Sequence, residues 1–166
     1  METARAASAD DLPAIASLAE AAIDELQPTR GGAIWARQVG RDRPVGPSLR
    51  EALDDPDAML IAGTIDDAVV GYAAVRLDPF RDGGVLAVLD DLYVDPEARG
   101  VGVGEAMMNA VVDWARERGC VGVDSVALPG NRATKNFFES FGLVARAIVV
   151  HRSLSPQDPP AAPGTD

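Results

Sequence analysis

A six-residue stretch, Arg99-Gly100-Val101-Gly102-Val103-Gly104, decides how this chain is organised. It follows an apolar, strand-like run from Val85 to Val94 and leads into a helical pattern from Glu105 to Arg118. A strand, a glycine-rich turn and a helix start together present outward backbone N–H groups, and the helix dipole there favours negative charge. We therefore expect a phosphate-bearing cofactor to bind at this turn.

The composition predicts a single acidic domain. The chain has 166 residues, of which 47% are hydrophobic, and this is enough for one domain with a sizeable core. Its net charge of −11 argues against a basic surface that binds nucleic acid. Cys120 is the single cysteine and His151 the single histidine. They exclude an internal disulfide, a cysteine cluster and a histidine-rich metal site, so no metal is expected.

The sequence also predicts a compartment and a boundary. No apolar run is long enough to cross a membrane, and the first residues lack the layout of a signal peptide, so we expect a cytoplasmic protein without a membrane partner. Residues 155–166 contain four prolines and are expected to form a disordered tail. The folded domain is accordingly assigned to residues 1–154.

The first half of the chain predicts a helix followed by an antiparallel meander. Apolar residues recur at helical spacing from Leu12 to Leu26, and residues 29–53 are expected to hold two short helices between loops. A tight hairpin turn is expected at Asp66-Asp67. The strands expected here are Thr3–Ser8, Ala58–Ile65, Ala68–Leu77 and Val85–Val94.

The second half alternates helices and strands. After the helix at Glu105–Arg118, we expect a strand at Val121–Leu128, a helix from Asn131 to Phe141 and a last strand at Leu143–Leu154. A strand, helix and strand in succession predict a parallel pair. The whole is expected to be an α/β (α+β) domain, with a mixed sheet of six or seven strands and about four flanking helices.

Residue identities exclude two common phosphate sites. A Walker loop needs Gly-Lys-Ser/Thr, whereas this turn ends in Gly104-Glu105-Ala106. A dinucleotide fingerprint needs a third glycine where Glu105 stands.

Residues 92–104 instead resemble the acyl-CoA-binding motif of the GCN5-related N-acetyltransferase (GNAT) family. That motif is an Arg or Gln, two variable residues, a Gly, one variable residue, and a Gly or Ala. Arg99, Gly102 and Gly104 match it. Residues 6–12 are similar to the family's opening strand and first helix, and residues 131–143 are similar to its late helix.

The resemblance implies an N-acetyltransferase that moves the acetyl group of acetyl-CoA to a primary amine by direct attack in a ternary complex. It also implies a GNAT-like sheet and a set of cofactor contacts. Backbone amides at the glycine turn would hold the pyrophosphate, the preceding strand would pair with pantetheine, and an amide near Val94 would polarise the thioester carbonyl. The implied cofactor residues are Leu92, Tyr93, Val94, Arg99, Gly100, Val101, Gly102, Val103, Gly104, Glu105 and Asn131.

The catalytic residues are less sharply marked. Aminolysis needs a group that accepts a proton from the ammonium, and Asp91 is favoured over Asp90 and Asp124 for that role. Adjacent strand residues face opposite sides of a sheet, unless a bulge changes the parity. The family commonly has a tyrosine acid where this chain has Phe138, so Tyr93 or Tyr72 would have to replace it, or the thiolate would leave unprotonated.

Two function classes follow. The first is the acetyltransferase with an amine acceptor, for which a small molecule, a peptide N-terminus, a lysine and an aminoglycoside all stay open. The second is a module of the same fold that binds or senses acyl-CoA without catalysis, which Phe138 favours. A homodimer also stays open.

Overall fold

Five strands form one mixed sheet in the computed structural model, which describes residues 1–155. Their spatial order is their order in the chain, with antiparallel pairs from the first strand to the fourth and a parallel pair between the last two. This confirms the fold class, although the expected count of six or seven strands was too high for the described residues. The strands are β1 (Glu2–Ala6), β2 (Ala58–Ile65), β3 (Ala68–Pro79), β4 (Val85–Val94) and β5 (Val123–Ser125).

Helices cover both faces of this sheet. The first and third pack on one face, and the fourth packs on the other. Within residues 1–155 there are five α-helices, one at each place where the sequence predicts a helix, and none has the length and apolar character needed to cross a bilayer. They are α1 (Leu12–Leu26), α2 (Gly32–Gln38), α3 (Gly46–Asp54), α4 (Val103–Glu117) and α5 (Arg132–Ser140).

The sheet separates two apolar cores. On one face, Met107 and Val111 of α4 pack against the strands, together with Phe138 of α5. On the other face, Ile15 of α1 and Tyr72 of β3 are almost completely buried in a second cluster. Side chains of β3 and β4 that point to the second face therefore lie beneath α1 and α3.

The hairpin between β2 and β3 matches its prediction. Asp66 and Asp67 both have positive φ, 45° and 69°. Aspartate tolerates the left-handed region better than most residues do, and two successive left-handed residues give the turn that suits the twist of paired strands.

The expected last strand is not formed within the single chain. Residues 143–154 have no regular secondary structure, and Val149 and Ile148 are 94% and 84% exposed. A strand needs a partner for its backbone groups, and residues 143–154 pair with none of the five strands. Strand β5 itself has three residues instead of the eight expected. The expected tail falls almost wholly on residues 156–166, which lie outside the described residues.

A partly buried ion pair stabilises the short 3-10 turn, Ala9–Asp11, that leads into α1. The Asp11 carboxylate accepts hydrogen bonds from the Arg5 guanidinium at 2.7 and 2.9 Å and from the Ser8 backbone N–H at 2.8 Å. These donors hold the pKa of Asp11 well below its usual range. The carboxylate therefore stabilises the folded state above the pKa that it has in the unfolded chain, and the contribution is lost as pH falls through the lower, folded pKa.

We expect Asp11→Asn to lower the free energy of unfolding by about 1–2 kcal/mol at neutral pH, because it removes the ion pair and weakens the helix cap. Urea unfolding of both proteins at pH 7 and in acid measures this. The difference in the free energy of unfolding between the two proteins should be smaller in acid. An equal difference at both pH values would contradict a stabilising role of the ionised Asp11 carboxylate.

Candidate functional site

A cleft opens where β4 and β5 separate. The two strands pair only at Ala87↔Val123, Val88↔Asp124 and Leu89↔Ser125. On its other side, β4 carries a bulge against β3, since Ala74 is opposite Asp91 and Val75 is opposite Leu89. Asp90 is therefore the additional residue, and such a bulge bends and twists its strand. The resulting cleft has a volume of about 400 Å³.

The glycine turn lies at the mouth of this cleft. Gly100 and Gly102 have φ values of 81° and 102°, which favour glycine, and a Cβ atom at either would meet nothing within 4 Å. Helix α4 begins at Val103, and the N–H of Ala106 bonds back to the carbonyl of Gly102. The preceding first-turn amides lack intrahelical partners. An open space lined by such amides fits a pyrophosphate.

Most of the predicted cofactor residues line the cleft. Two of the eleven do not, because the Val101 side chain points into solvent and the Val103 side chain is buried in the α4 core. The residues that line it are Leu92, Tyr93, Val94, Arg99, Gly100, Gly102, Gly104, Glu105 and Asn131.

Helix α5 forms the opposite wall. Asn131 accepts a hydrogen bond from the Thr134 N–H at 3.2 Å and so begins the helix. Phe137 packs beside Gly104, and Phe138 lines the cleft with 8% of its surface exposed. At the position of the expected tyrosine, the cleft therefore has an apolar ring without an acidic proton to donate.

Asp91 lies at the centre of a polar network. Its Oδ2 accepts a hydrogen bond from Arg41 at 2.5 Å, and its Oδ1 accepts one from the Tyr72 hydroxyl at 3.2 Å. Arg41 also donates to Ser48 at 3.2 Å. Burial raises the pKa of Asp91, and Arg41 acts in the opposite direction. A carboxylate with a raised pKa is a better proton acceptor near neutral pH.

The other acidic candidates are placed differently. Asp90 lines the same cleft and pairs with Arg76 at 2.8 Å, so the bulge brings both adjacent carboxylates to the site. Asp124 is absent from the cleft lining and forms an ion pair with Arg146. The structure therefore groups Asp90 and Asp91, and leaves Asp124 outside that group.

Tyr93 belongs to a second cluster in the cleft. The Arg99 guanidinium pairs with Glu25 of α1 at 2.8 and 3.1 Å and lies 5.2 Å from the centre of the Tyr93 ring. Burial and the neighbouring Glu25 raise the pKa of Tyr93 to about 12. Burial also raises the pKa of Tyr72 well above its ordinary value. Neither tyrosine is therefore a ready proton donor near neutral pH.

Sequence reasoning missed Arg41 and Glu25. Arg41 lies 50 residues from Asp91, and Glu25 lies 74 residues from Arg99. Neither belongs to a motif, and only the fold brings them to the cleft. Within residues 1–155, no group of three or more histidine, cysteine or acidic side chains is arranged to hold a metal ion.

Solved structures share this architecture. The complex of AAC(6')-Iy with the bisubstrate analogue CoA-S-monomethyl-acetylneamine superposes with a TM-score of 0.72 and 18% identity, over 93% of this chain and 99% of that one. Ribosomal-protein-alanine N-acetyltransferase from Brucella melitensis biovar Abortus 2308 gives a TM-score of 0.65 and 18% identity, over 93% and 100%. At such identities the likeness shows the fold.

Curated relatives match part of the chain. Aminoglycoside N(6')-acetyltransferase type 1 from Klebsiella aerogenes is 41% identical over 68 residues, which are 39% of this chain and 45% of that protein. Glucosamine 6-phosphate N-acetyltransferase from Trypanosoma brucei brucei is 30% identical over 79 residues, or 46% and 52%. The matched region thus spans about half the length of these relatives.

The model of the Acetyltransferase (GNAT) family matches residues 19–143, which include α4, the glycine turn, and the strands β4 and β5 that separate at the cleft. The names of these curated relatives, both N-acetyltransferases, agree with that match. The chain belongs to the acetyltransferase (GNAT) family.

Proposed function

We propose that the protein transfers the acetyl group of acetyl-CoA directly to a primary amine in a ternary complex. One observation carries the proposal: the glycine turn, the unpaired edge of β4 and the two carboxylates of the bulge all face one cleft. A turn that binds an anion, an edge that pairs with an extended amide chain and a proton acceptor are what aminolysis of a CoA thioester requires.

The cofactor is proposed to lie along β4. Amides from Gly100 to Glu105 would hold the pyrophosphate, and the backbone of Leu92, Tyr93 and Val94 would pair with the amides of pantetheine. Asn131 would contact the cofactor from α5. The open space beside Gly102 supports this placement, because any side chain there would fill the region that the phosphates need.

The chemistry assigned to Asp91 is proton removal. The Asp91 carboxylate would take a proton from the ammonium, directly or through a water, and the neutral nitrogen would attack the thioester carbon. The new N–C bond then replaces the C–S bond: the nitrogen of the tetrahedral adduct gives up a second proton, the sulfur leaves as a thiolate, and both protons pass to solvent, the first by way of Asp91. Ordinary thiols titrate near ~8.5, so the thiolate can leave without a tyrosine acid in place of Phe138. Asp90, Asp124 and Tyr93 are the alternative catalytic candidates.

Aminoglycosides are the first acceptors to test. They are named in two curated relatives. The cleft is lined by four carboxylates, those of Glu25, Asp90, Asp91 and Glu105, against the two guanidinium groups of Arg41 and Arg99, and this negative balance favours a cationic acceptor. No nucleic-acid or membrane partner is proposed. The cytoplasm is the proposed compartment, because the single cysteine shows no dependence on an internal disulfide.

Phe138 favours a second candidate function, a module that binds acyl-CoA without catalysis. An assay of free thiol, with acetyl-CoA and a panel of aminoglycosides, polyamines and peptides, separates the two. Release of thiol that depends on one amine supports the enzyme. Binding of acetyl-CoA without turnover across the panel supports the module, and failure to bind acetyl-CoA contradicts both.

We also infer a homodimer in which residues 144–152 of each chain cover the β5 edge of the other, so that Arg146 would exchange its ion pair with Asp124 of its own chain for the same residue of the second copy. This segment is mostly apolar and exposed, and within residues 1–155 β5 pairs on one side only, with the exposed Val121 and Val126 flanking it. The segment carries two arginines and no acidic residue, whereas the whole chain has a net charge of −11. This basic, mostly apolar segment therefore complements the acidic surface of a second copy.

Val149→Glu is expected to convert the dimer to a monomer, because it places a negative charge in the inferred interface. Light scattering during size-exclusion chromatography measures the mass. Phe80→Glu, at an exposed position in the β3–β4 turn, is the matched control and should stay dimeric. A monomeric wild-type protein, or a dimeric Val149→Glu variant, would contradict the interface.

A further inference from the structure

A cation already occupies a small, well-formed site in the cleft. Both carboxylate oxygens of Glu25 accept hydrogen bonds from the Arg99 guanidinium, which also lies over the Tyr93 ring. The two charged side chains are 42% and 44% exposed, so the site is open to the cleft. A carboxylate beside an aromatic face is suited to an ammonium or guanidinium group in general, and Arg99 is the occupant that this chain supplies itself.

The present position of Arg99 competes with the cofactor placement proposed for its neighbours. Its Nε donates to the Val94 carbonyl at 3.0 Å, and Val94 belongs to the edge that would pair with pantetheine. The carbonyl could accept a second hydrogen bond, but Arg99 also lies beside the glycine turn, where the phosphates are proposed to bind. Phosphates carry more charge than the Glu25 carboxylate, so binding of acetyl-CoA would draw the Arg99 guanidinium away from Glu25.

Departure of Arg99 leaves Glu25 without its cation. The carboxylate, half exposed and beside the Tyr93 ring, is then free to bind another cation. We propose that Glu25 and Tyr93 form a subsite for a second ammonium group of the acceptor, which Arg99 fills until acetyl-CoA binds. The inference rests on the proposed acetyl transfer and adds a requirement on the acceptor: it carries at least two cationic nitrogens.

The strand geometry sets the spacing between those nitrogens. Tyr93 and Asp91 are two residues apart on β4, so their side chains leave the same face with Cα atoms about 7 Å apart. The reacting nitrogen would lie at Asp91 and the second nitrogen at Tyr93 and Glu25. A diamine or amino sugar with a few atoms between its nitrogens fits this distance.

The arrangement couples the two substrates. Because Arg99 must leave before the second cation enters, CoA should increase the affinity for a diamine, and the diamine should increase the affinity for CoA by the same factor. One partly exposed ion pair with a ring contact gives a factor of about ten. A monoamine gains nothing from the subsite, so its affinity should not respond in this way.

Calorimetric titrations with coenzyme A, cadaverine and n-pentylamine test the proposal, since CoA without an acetyl group allows no turnover. In the wild type, CoA should tighten cadaverine binding about tenfold and leave pentylamine unchanged. Glu25→Gln should abolish the coupling. Arg99→Ala should bind cadaverine without CoA about as tightly as the wild type does with it.

Asp24→Asn is the matched control, because it removes the same charge from the position next to Glu25 on α1. Asp24 itself pairs with Arg43 outside the cleft. It should keep the coupling, and thermal unfolding should confirm that each variant folds. Two results would overturn the subsite alone. One is that CoA still tightens cadaverine binding in Glu25→Gln; the other is that CoA has no effect on cadaverine binding in a wild type that transfers acetyl groups. A wild type that does not bind CoA overturns the proposed function as well.

Discussion

Gly102→Ala is expected to weaken the binding of acetyl-CoA by about 30-fold. At a φ of 102°, any Cβ atom strains the backbone by about 2 kcal/mol, which corresponds to that factor if binding requires the native turn. The strain is relieved when the turn rotates its amides away from the cleft. The added methyl group would also enter the open space that the phosphates are proposed to fill. Calorimetric titration with acetyl-CoA gives the affinity directly.

Gly119→Ala provides the control for this effect. Gly119 lies two residues after the end of α4 and has a φ of 71°; its Cβ would also meet nothing within 4 Å, but it does not line the cleft. Both variants should therefore lose stability through left-handed strain, and only Gly102→Ala should lose affinity. Equal affinities in the two variants would contradict the proposed phosphate site.

Asp91→Asn is expected to lower kcat about 100-fold at neutral pH, the usual range for loss of a general base. The acceptor amine loses its proton unaided at high pH, so the effect should shrink there. In the wild type, activity should fall as pH drops through the raised pKa of Asp91, and this limb should be missing from the variant. A pH–rate profile of kcat tests both expectations.

Two comparisons distinguish the loss of a catalytic base from a loss of stability or an effect of the neighbouring carboxylate. Asparagine at position 91 still accepts a hydrogen bond from Arg41, but the buried charge of Arg41 is then unpaired. This costs about 3 kcal/mol of folding stability, so the stability of the variant must be measured. Asp90→Asn removes the neighbouring carboxylate, whose partner Arg76 is more exposed. If Asp90→Asn loses the acid limb and Asp91→Asn keeps it, Asp90 is the base.

Local sequence signals predicted the parts of the molecule that depend on neighbouring residues. The Asp66-Asp67 turn needs two left-handed positions in a row, and aspartate tolerates them. The glycine turn before α4 depends on backbone freedom at Gly100 and Gly102. Both signals lie within a few residues of the structure that they predict.

Features that depend on distant residues were not predictable in this way. The bulge at Asp90 was an open alternative, and only the register against β3 shows that it exists. The Arg41–Asp91 and Glu25–Arg99 pairs join segments that no local pattern connects. The strand expected at Leu143–Leu154 has the composition of a strand but pairs with no other strand among residues 1–155, and composition does not supply a partner.

The most direct test of the account is a single-turnover mass balance with acetyl-CoA and a reactive amine from the panel. Without amine, direct transfer predicts no free thiol and no gain in the mass of the intact protein. With amine, it predicts one thiol for each amide formed, with the protein mass unchanged throughout. An acetylated protein, or thiol release that does not depend on the amine, would contradict direct attack within the cleft.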